Sequence, residues 1–435
     1  MTKMSLLTFD EALQKLLAAA RPVAEIEEVE SVAAAGRTLA RAQASGITVP
    51  PLDNSAMDGY AVRVTDIPAA RMRLPVSQRI PAGSVGTPLQ PGTAARIFTG
   101  APVPEGADAV VMQELCEHAG EGVVLVNHVP RHGENIRRAG EDIQAGAGIL
   151  AAGTRLAPQD IGLAASVGLA TLPVFRRLRV AVFFTGDELS LPGEALKPGG
   201  IYNSNRYTLH GLLGALGCEV RDLGIVPDSL EATRAALREA AASDVIITSG
   251  GVSVGEEDHI KAAVQAEGAL DLWKIAIKPG KPLAFGKVSR RATAADFATA
   301  IPSPPFPGKG VTEVRGQGPL RDEAAFIGLP GNPVSTFVTF LMLVRPFLLA
   351  CQGANVTAPR GLVMRADFDW PKPDRRREFL RVRINDAGGL DLFPNQSSGV
   401  LTSCAWADGL VDLPPGLAVK RGDAVRFIPF SELLY

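Results

Sequence analysis

Cysteine and histidine are scarce in the 435-residue sequence, which contains four cysteines and five histidines. The cysteines lie far apart with no CxxC pair, and the histidines show no spacing typical of zinc ligands. These absences argue against a disulfide framework and against a structural zinc site. They favour a cytoplasmic protein, because thiols stay reduced in that compartment.

The sequence also lacks a strong net charge, a basic region followed by an apolar core near its start, and an uninterrupted apolar run. Its formal net charge is −2, so no strong cationic field is available for nucleic acid, and small molecules are the expected partners. The N-terminus has no basic region followed by an apolar core, so we expect no signal peptide. The most apolar segment, 334–351, contains Ser335 and Arg345 and therefore predicts a buried helix, with no membrane association.

The composition and the predicted secondary structure change along the chain, which indicates several domains. A capping box formed by Thr8 and Glu11 predicts a helix near the N-terminus, and an alanine-rich stretch at 31–42 predicts a second helix. Prolines and glycines then separate short strand-like runs, which predicts a small β domain. Strands and helices alternate from Leu178, which predicts a doubly wound α/β domain, and strand-like runs return after Gly353.

One stretch of the α/β part, DVIITSGGVSVGEED at 244–258, combines a strand, a glycine loop and a run of acids. Residues 245–248 predict a buried strand, and the loop 249–251 that follows allows backbone amides to approach a phosphate. The acids at 256–258 cannot face a phosphate without a cation between them, which suggests Mg²⁺. A surface turn followed by a solvated acidic helix start explains the same pattern equally well.

Two further acids follow predicted strands of the same domain. Ligands of doubly wound sheets bind outside the carboxyl ends of the strands, and Glu188 and Asp228 stand at such positions. No structural role is evident for Glu188, whereas Asp228 is also explained as the N-cap residue of the next helix. The sequence therefore predicts that Glu188, Asp228, the glycine loop and Asp258 converge on one site.

Two more segments carry groups suited to anions. GLPGNPVS places Asn332 as the cap and Pro333 as the first residue of a helix, whose free amides favour an anion. In KPGKP at 278–282, two prolines hold Lys278 and Lys281 in a stiff turn. That restriction favours a binding role for the two lysines over an idle, solvated surface.

These motifs, together with others along the chain, resemble those of the molybdopterin molybdenumtransferase family. Its members catalyse the last step of molybdenum cofactor synthesis and are related to the C-terminal domain of gephyrin. The resemblance covers nearly the whole chain and rests on segments that occur in the family's order: DNSAMDGYAVR, RIFTGAPVPEGADAVVMQE, NIRRAGEDI, TGDEL, SGGVSVGEED, KPGKPLAFGK, GLPGNPVS and AWADGL.

The resemblance implies an elongated four-domain chain that forms a homodimer. The expected fold is multidomain, with α/β and β parts. Its parts are a discontinuous helical scaffold at 1–50 and 140–177, an inserted β domain at 51–139, a doubly wound α/β domain of the molybdopterin-binding type at 178–350, and a C-terminal β-barrel at 351–435.

The implied reaction inserts molybdate into the dithiolene of adenylylated molybdopterin, with Mg²⁺, and releases AMP. Glu188, Asp228 and Asp258 are the implied catalytic residues and metal ligands. No cysteine or histidine ligand is needed, because the pterin's own sulfurs receive the molybdenum. Residues expected to bind phosphate, pterin or molybdate are Ser249, Gly250, Gly251, Ser253, Lys274, Lys278, Lys281, Pro330, Asn332, Pro333, Ser335, Arg376 and Ser397.

Asp58 and Thr99 match family positions at which the β domain faces the cleft of the other subunit. The resemblance therefore implies a shared active site, with these two residues added to the catalytic set and an inactive monomer. It also implies a hand-over of substrate from a molybdopterin adenylyltransferase.

One departure from the family pattern is an insertion at 289–325, where the family has a short connection. Its Pro, Gly and Ala content offers no packed face, so an idle or flexible loop is favoured over a lid or an interaction segment. Two alternative functions remain open: molybdopterin adenylylation, and a gephyrin-like dimeric scaffold that binds a peptide without chemistry. The two β domains and the scaffold weigh against the first, and the intact acids and lysines weigh against the second.

Overall fold

The structure is a computed structural model that describes residues 6–251, 259–290 and 322–434. The chain forms two compact units. The first comprises Met1–Arg41, Ala152–Ala157 and Thr171–Tyr435, and the second comprises Ala42–Ala151 and Pro158–Ala170.

The centre of the first unit is a seven-stranded sheet. The strand Pro282–Ser289 runs antiparallel to both of its neighbours, and the other strands are parallel to one another. Apolar runs such as VAVFF bury both faces of a strand, which requires cover on both sides of the sheet. In spatial order the strands are Leu6–Leu7, Gly268–Ile275, Pro282–Ser289, Glu323–Leu329, Val245–Ser249, Arg179–Thr185 and Glu219–Val226.

Helices cover both faces of this sheet, which confirms the doubly wound α/β prediction. Val180 and Val182 of one strand pack into the core cluster of one face, whereas Ala181 and Phe183 pack into that of the other. The first face carries the helices Phe9–Ala19, Ser204–Ala215 and Pro333–Cys351, and the second carries Leu230–Ala240 and His259–Glu267.

The helix Pro333–Cys351 is the apolar segment singled out in the sequence. It is continuous, with a π-helical stretch at Phe340–Val344, and almost all of it is buried inside the protein. Within the part of the chain that the structure describes, it is the one helix long and apolar enough to cross a membrane. Its burial agrees with the expectation of a core helix.

The N-terminal segments differ in part from the expectation of a helical scaffold. The capping box at Thr8 and Glu11 is present and starts the helix Phe9–Ala19, which packs on the α/β core. The second helix expected at 31–42 is wrong, since only a 3-10 turn forms there, at Ser31–Ala33. Tertiary contacts override the helical propensity: buried Arg37 donates hydrogen bonds to Glu27 and to the carbonyl of Phe175.

Short strands supply the rest of this region. Ile26–Glu30 pairs antiparallel with Thr171–Phe175, so the chain leaves and re-enters the first unit through neighbouring strands. Within the second unit, Gln43–Ala44 pairs with Gly148–Leu150, and one helix spans Pro158–Ser166. The region is therefore a mixture of helices and short strand pairs.

The second unit contains the predicted small β domain. Alternate residues of its strands pack into two separate cores: Tyr60 and Val62 lie in one, and Ala61 lies in the other. The sheet has six strands, in the order Ala109–Met112, Gly59–Val62, Ala94–Ile97, Met72–Ile80, Val123–Val126 and Cys116–His118, and a further pair joins Asn54–Ser55 to Ile136–Arg137. Two 3-10 turns lie at Val64–Asp66 and Gln113–Leu115.

The C-terminal part of the first unit forms a six-stranded sheet instead of the expected closed barrel. In spatial order it contains Ile277–Lys278, Arg377–Ile384, Gly409–Leu413, Ala424–Pro429 and Leu362–Arg365, with Leu390–Leu392 paired to Arg377–Ile384. Among the described residues no ladder joins the two end strands, so a barrel is not confirmed. One end strand, Ile277–Lys278, comes from the α/β part of the chain. Short helices lie at Thr402–Trp406 and Ser431–Leu434.

Candidate active site

A cavity of about 610 Å³ opens at the carboxyl ends of the parallel strands. It lies where two neighbouring strands, Arg179–Thr185 and Val245–Ser249, are followed by helices on opposite faces of the sheet. Such a crossing point leaves a crevice between the two connections. The predicted site residues that line the cavity are Glu188, Asp228, Gly250, Gly251, Lys278, Lys281, Pro330, Asn332, Ser335, Arg376 and Ser397.

The glycine loop has a backbone that only glycine adopts without strain. Gly250 has φ +103°, and a Cβ added there would lie 2.8 Å from the carbonyl oxygen of Thr185. Gly251 has φ +62°, and its Cβ would lie 2.8 Å from Cδ1 of Ile260. Gly250 is therefore required because the backbone of the neighbouring strand end lies close to it, and Gly251 is favoured by its left-handed backbone.

A buried hydrogen-bond network fixes this loop to the loop that precedes the helix at Pro333. The Ser249 hydroxyl donates to the carbonyl of Pro330 at 2.9 Å and accepts from the Asn205 side chain at 2.8 Å. Asn205 also donates to the carbonyl of Gly331 at 2.8 Å, and Thr336 donates to Pro330. Ser249 is 3 % exposed and does not line the cavity, so its side chain holds the loops together.

Asn205 was not singled out in the sequence. It occupies the first turn of the helix Ser204–Ala215, where the N-cap residue Asn203 accepts a hydrogen bond from Arg206. Asparagine is a weak helix former, so its presence inside a helix was the available signal. The partner loops lie far away in sequence, which is why the signal could not be interpreted there.

The start of the helix Pro333–Cys351 has the predicted residues in the predicted places. Asn332 is the N-cap residue and Pro333 follows it, but the Asn332 side chain makes no capping hydrogen bond. Its amide is exposed and lines the cavity together with Ser335, whereas Pro333 does not line it. The Asn332 side chain therefore does not cap its own helix and is accessible from the cavity.

The two described carboxylates at the strand ends share the cavity. Asp228 was also explained as a helix cap, but the cap is Ser229, whose hydroxyl accepts from the amide of Ala232 at 3.3 Å. Glu188 is exposed, and its carboxylate has no hydrogen-bond or ion-pair partner among the described residues. Capping therefore accounts for neither acid. The other predicted acid, Asp258, lies outside the described residues, as do Ser253 and positions 291–321 of the insertion.

Three cationic side chains line the same cavity. Lys278 Nζ lies 2.9 Å from Glu378 Oε1, and Arg376 forms a two-point ion pair with Asp374 at 2.7 and 3.0 Å. The hydrogen bonds from Arg376 hold the pKa of Asp374 well below its usual range. Lys281 is exposed and has no carboxylate partner in the described parts of the chain. Its charge is therefore the least compensated of the three.

Lys274 does not belong to this group. It lies on the strand Gly268–Ile275, in register with Leu6 and Pro282, and does not line the cavity. Lys274 lies opposite Pro282, the last residue of KPGKP, but only Pro282 of this pair lines the cavity.

A loop of the C-terminal sheet completes the cavity lining with Gln396, Ser397 and Ser398. Gln396 is held by two backbone groups of Arg381, at 2.9 and 3.0 Å. The carbonyl of Ser398 accepts from the amide of Val334 at 3.0 Å, which joins this loop to the helix start. Gln396 and Ser398 were missed in the sequence because no local pattern distinguishes them from other turn residues.

Comparison with known proteins identifies the family. The N-terminal region of MoeA (domains I and II) matches residues 7–168, a probable molybdopterin binding domain matches 181–350, and the MoeA C-terminal region (domain IV) matches 363–430. A curated relative from Haemophilus influenzae, named molybdopterin molybdenumtransferase, is 37 % identical over 99 % of this chain and 100 % of its own length. The chain belongs to the molybdopterin molybdenumtransferase family.

Other members of the molybdopterin molybdenumtransferase family agree in sequence and in structure. A relative of the same name from Bacillus subtilis is 33 % identical and covers 88 % of this chain and 85 % of its own length. A crystal structure of a molybdopterin biosynthesis MoeA protein from Pyrococcus horikoshii has a TM-score of 0.76 and 27 % identity, over 98 % of this chain and 100 % of its own. The whole multidomain fold is therefore that of the family.

In the second unit, the structure brings together the two residues matched to the family's β domain. Asp58 accepts hydrogen bonds from the Thr99 amide at 2.8 Å and from the Thr99 hydroxyl at 2.7 Å. These two bonds lower the pKa of Asp58 from its ordinary value. The pair thus holds an ionised carboxylate on the surface of the β domain.

Proposed function

We propose that this chain inserts molybdate into the dithiolene of adenylylated molybdopterin and releases AMP, forming molybdenum cofactor. Membership of the family makes it a transferase of molybdenum cofactor biosynthesis. The observation that carries the detailed proposal is the composition of one cavity. A glycine loop, a helix N-terminus, two carboxylates and three cations all line it.

The glycine loop and the helix start suit the phosphate groups of the pterin substrate. Gly250 and Gly251 leave the backbone open to close approach, and the start of the helix Pro333–Cys351 favours negative charge. Asn332 and Ser335 add polar groups at the same helix start. A pyrophosphate linkage needs such hosts, because charge on its oxygens must be stabilised as AMP leaves.

Molybdate is a dianion and suits the cationic part of the cavity. Lys281 supplies a charge without a carboxylate partner among the described residues, and Lys278, Arg376 and Ser397 line the cavity beside it. The two fixed side chains, Lys278 and Arg376, orient the oxyanion, since their ion pairs limit their freedom.

The donor set fits Mg²⁺. This ion prefers oxygen ligands and usually takes one or two carboxylates together with substrate phosphate and water. Glu188 and Asp228 provide two carboxylates in one cavity. No cluster of three Asp, Glu, His or Cys side chains that could hold a metal ion occurs in the described ranges, so the remaining ligands would include substrate and water. Glu188 and Asp228, with Asp258, would hold Mg²⁺, which neutralises phosphate charge when bound.

We further propose a cytoplasmic homodimer in which the Asp58–Thr99 pair of one chain completes the cavity of the other. The same proposal includes the hand-over of substrate from an adenylyltransferase and four domains, at 1–50 with 140–177, 51–139, 178–350 and 351–435. Complementation tests the shared site: Glu188→Gln and Asp58→Asn homodimers are each expected to be inactive. Subunits exchanged between them should recover activity, because one site in each mixed dimer is then intact. A mixture that stays inactive after proven exchange would contradict the shared site.

The reaction itself is tested with purified protein, adenylylated molybdopterin, Mg²⁺ and molybdate. We expect AMP release that depends on molybdate, together with active cofactor. Adenylylation of molybdopterin by ATP, without molybdate-dependent AMP release, would favour the adenylyltransferase alternative. The absence of both activities, with binding of a peptide, would favour the scaffold alternative.

A further inference from the structure

A buried carboxylate behind the cavity, Glu378, has an unusually complete set of partners. Its side chain is 2 % exposed. Oε1 lies 2.9 Å from Lys278 Nζ, and Oε2 accepts from the Trp370 indole at 2.9 Å and from the Asp374 amide at 2.9 Å. A buried charge is tolerated only when it is paired and hydrogen-bonded, and Glu378 meets both conditions. Glu378 itself does not line the cavity.

Lys278 is the only one of these partners that is a cationic cavity side chain. It lies on the two-residue strand Ile277–Lys278, which pairs parallel with Arg377 and Glu378 of the C-terminal sheet. The ammonium also lies 3.7 Å from Asp374 Oδ2 and 5.7 Å from the ring centre of Trp370. These contacts restrict the Lys278 side chain, which otherwise has many rotamers: two carboxylates, of Glu378 and Asp374, and the face of the Trp370 ring surround it.

We propose that Glu378 is a positioning residue that holds the Lys278 ammonium at the cavity wall in the orientation that receives the oxyanion. The inference rests on the proposed function for the identity of that oxyanion, molybdate. Two effects of Glu378 oppose each other. Its negative charge reduces the attraction between Lys278 and an anion, whereas its fixed geometry removes the ordering cost of the lysine on binding.

The hydrogen-bond pattern supports the positioning effect, because a neutral amide cannot reproduce it. Trp370 and Asp374 donate to one oxygen of Glu378, and Lys278 donates to the other, so every partner is a donor. In Glu378→Gln, the new amide must place its NH₂ group against one of these donors. In one orientation Lys278 loses its acceptor, and in the other the Trp370 and Asp374 contacts that fix the side chain are lost. In both orientations the ion pair with Lys278 is gone, because the amide is neutral, so the lysine is held less firmly.

The chain offers a matched control in Asp412. It is also a buried carboxylate of the C-terminal sheet, with its side chain 2 % exposed, and it pairs with Arg377 at 2.6 and 2.7 Å and with Arg426 at 3.0 Å. Neither Asp412 nor these arginines lines the cavity. Asp412→Asn therefore disturbs a comparable ion pair of the same sheet without touching the cavity lysine.

The experiment is calorimetric titration of the full-length chain with molybdate, without pterin substrate. We expect Glu378→Gln to bind molybdate about tenfold more weakly, and Asp412→Asn to bind it like the wild type. In a Lys278→Met background, Glu378→Gln should add no further loss, because it acts through the lysine. Trp370→Phe, which keeps an aromatic ring but removes the indole donor, is the milder variant and should weaken binding about threefold.

Several outcomes would overturn the inference. They are unchanged or tighter binding by Glu378→Gln, an equal loss in Asp412→Asn, a fully additive loss in the Lys278→Met background, or no molybdate binding by the wild type. If Glu378→Gln does not fold, wild-type affinity in Trp370→Phe overturns it. Turnover is measured separately, so the predicted binding pattern without molybdate-dependent AMP release would reject the proposed function and leave this inference standing.

Discussion

Replacement of Gly250 by alanine tests the link between the glycine loop and the cavity most severely. The residue has φ +103°, a region in which a side chain costs about 1–3 kcal/mol. The new Cβ would lie 2.8 Å from the backbone carbonyl oxygen of Thr185, and the two backbones must separate to relieve that contact. With about 1–3 kcal/mol for this overpacking, we expect a loss of about 3 kcal/mol in the free energy of unfolding.

The same displacement reaches the active groups, because Thr185 and the loop both line the cavity. A shift of about 1 Å in the positioning of a substrate costs about 100-fold in rate, so we expect at least that loss in AMP release. Urea unfolding followed by circular dichroism measures the stability, and AMP release measures the activity.

Gly211→Ala is the matched control for this substitution. Gly211 lies inside the helix Ser204–Ala215, and an added Cβ meets nothing within 4 Å. We expect a gain of about 0.5–1 kcal/mol in stability and unchanged activity, since alanine is the better helix former. Wild-type stability and turnover in Gly250→Ala would refute the reasoning about the loop.

Three further predictions concern single side chains. Glu188→Gln should keep the wild-type fold by circular dichroism and lose turnover, and full activity would remove Glu188 from the mechanism. Asn205→Ala should lower the unfolding free energy by about 1–3 kcal/mol, because the buried Ser249 hydroxyl loses its donor; an unchanged urea midpoint would contradict this. Thr99→Val should raise the pKa of Asp58 in a carboxyl-carbon NMR titration, since one donor to the carboxylate is lost. The native pKa of Asp58 lies below its ordinary 3.8, so its contribution to stability is present above that pH and is lost as the pH falls through the lowered value.

Local patterns predicted the elements of the chain well where burial and pattern agree. The run predicted as a strand at 245–248 lies in the buried strand Val245–Ser249, the Thr8 box starts a helix, and Asn332 with Pro333 begins another. The stretch at 31–42 failed because its alanines favour a helix only in the absence of the ion pair and strand contacts that hold Arg37. The open C-terminal sheet could not be predicted, since one of its strands comes from a distant part of the chain.

The candidate site also combines residues that a local pattern predicted with contacts that no local pattern predicted. Residues that present chemistry next to a strand end or a turn, such as Glu188 and Lys281, could be found from the sequence. The distant partners that hold such residues could not be found: Ser249 binds the loop at Pro330, and Lys278 pairs with Glu378. Pairings of this kind depend on which strands become neighbours, and no local spacing records that choice.

The central claim is that AMP release and molybdenum insertion are one reaction in one cavity. A single-turnover experiment with excess protein measures AMP and protein-bound cofactor at increasing molybdate concentrations. We predict that AMP and cofactor appear in equal amounts, that both vanish without molybdate, and that both are lost in Glu188→Gln. AMP released at the full rate without molybdate, or cofactor formed with the AMP group retained, would contradict the account.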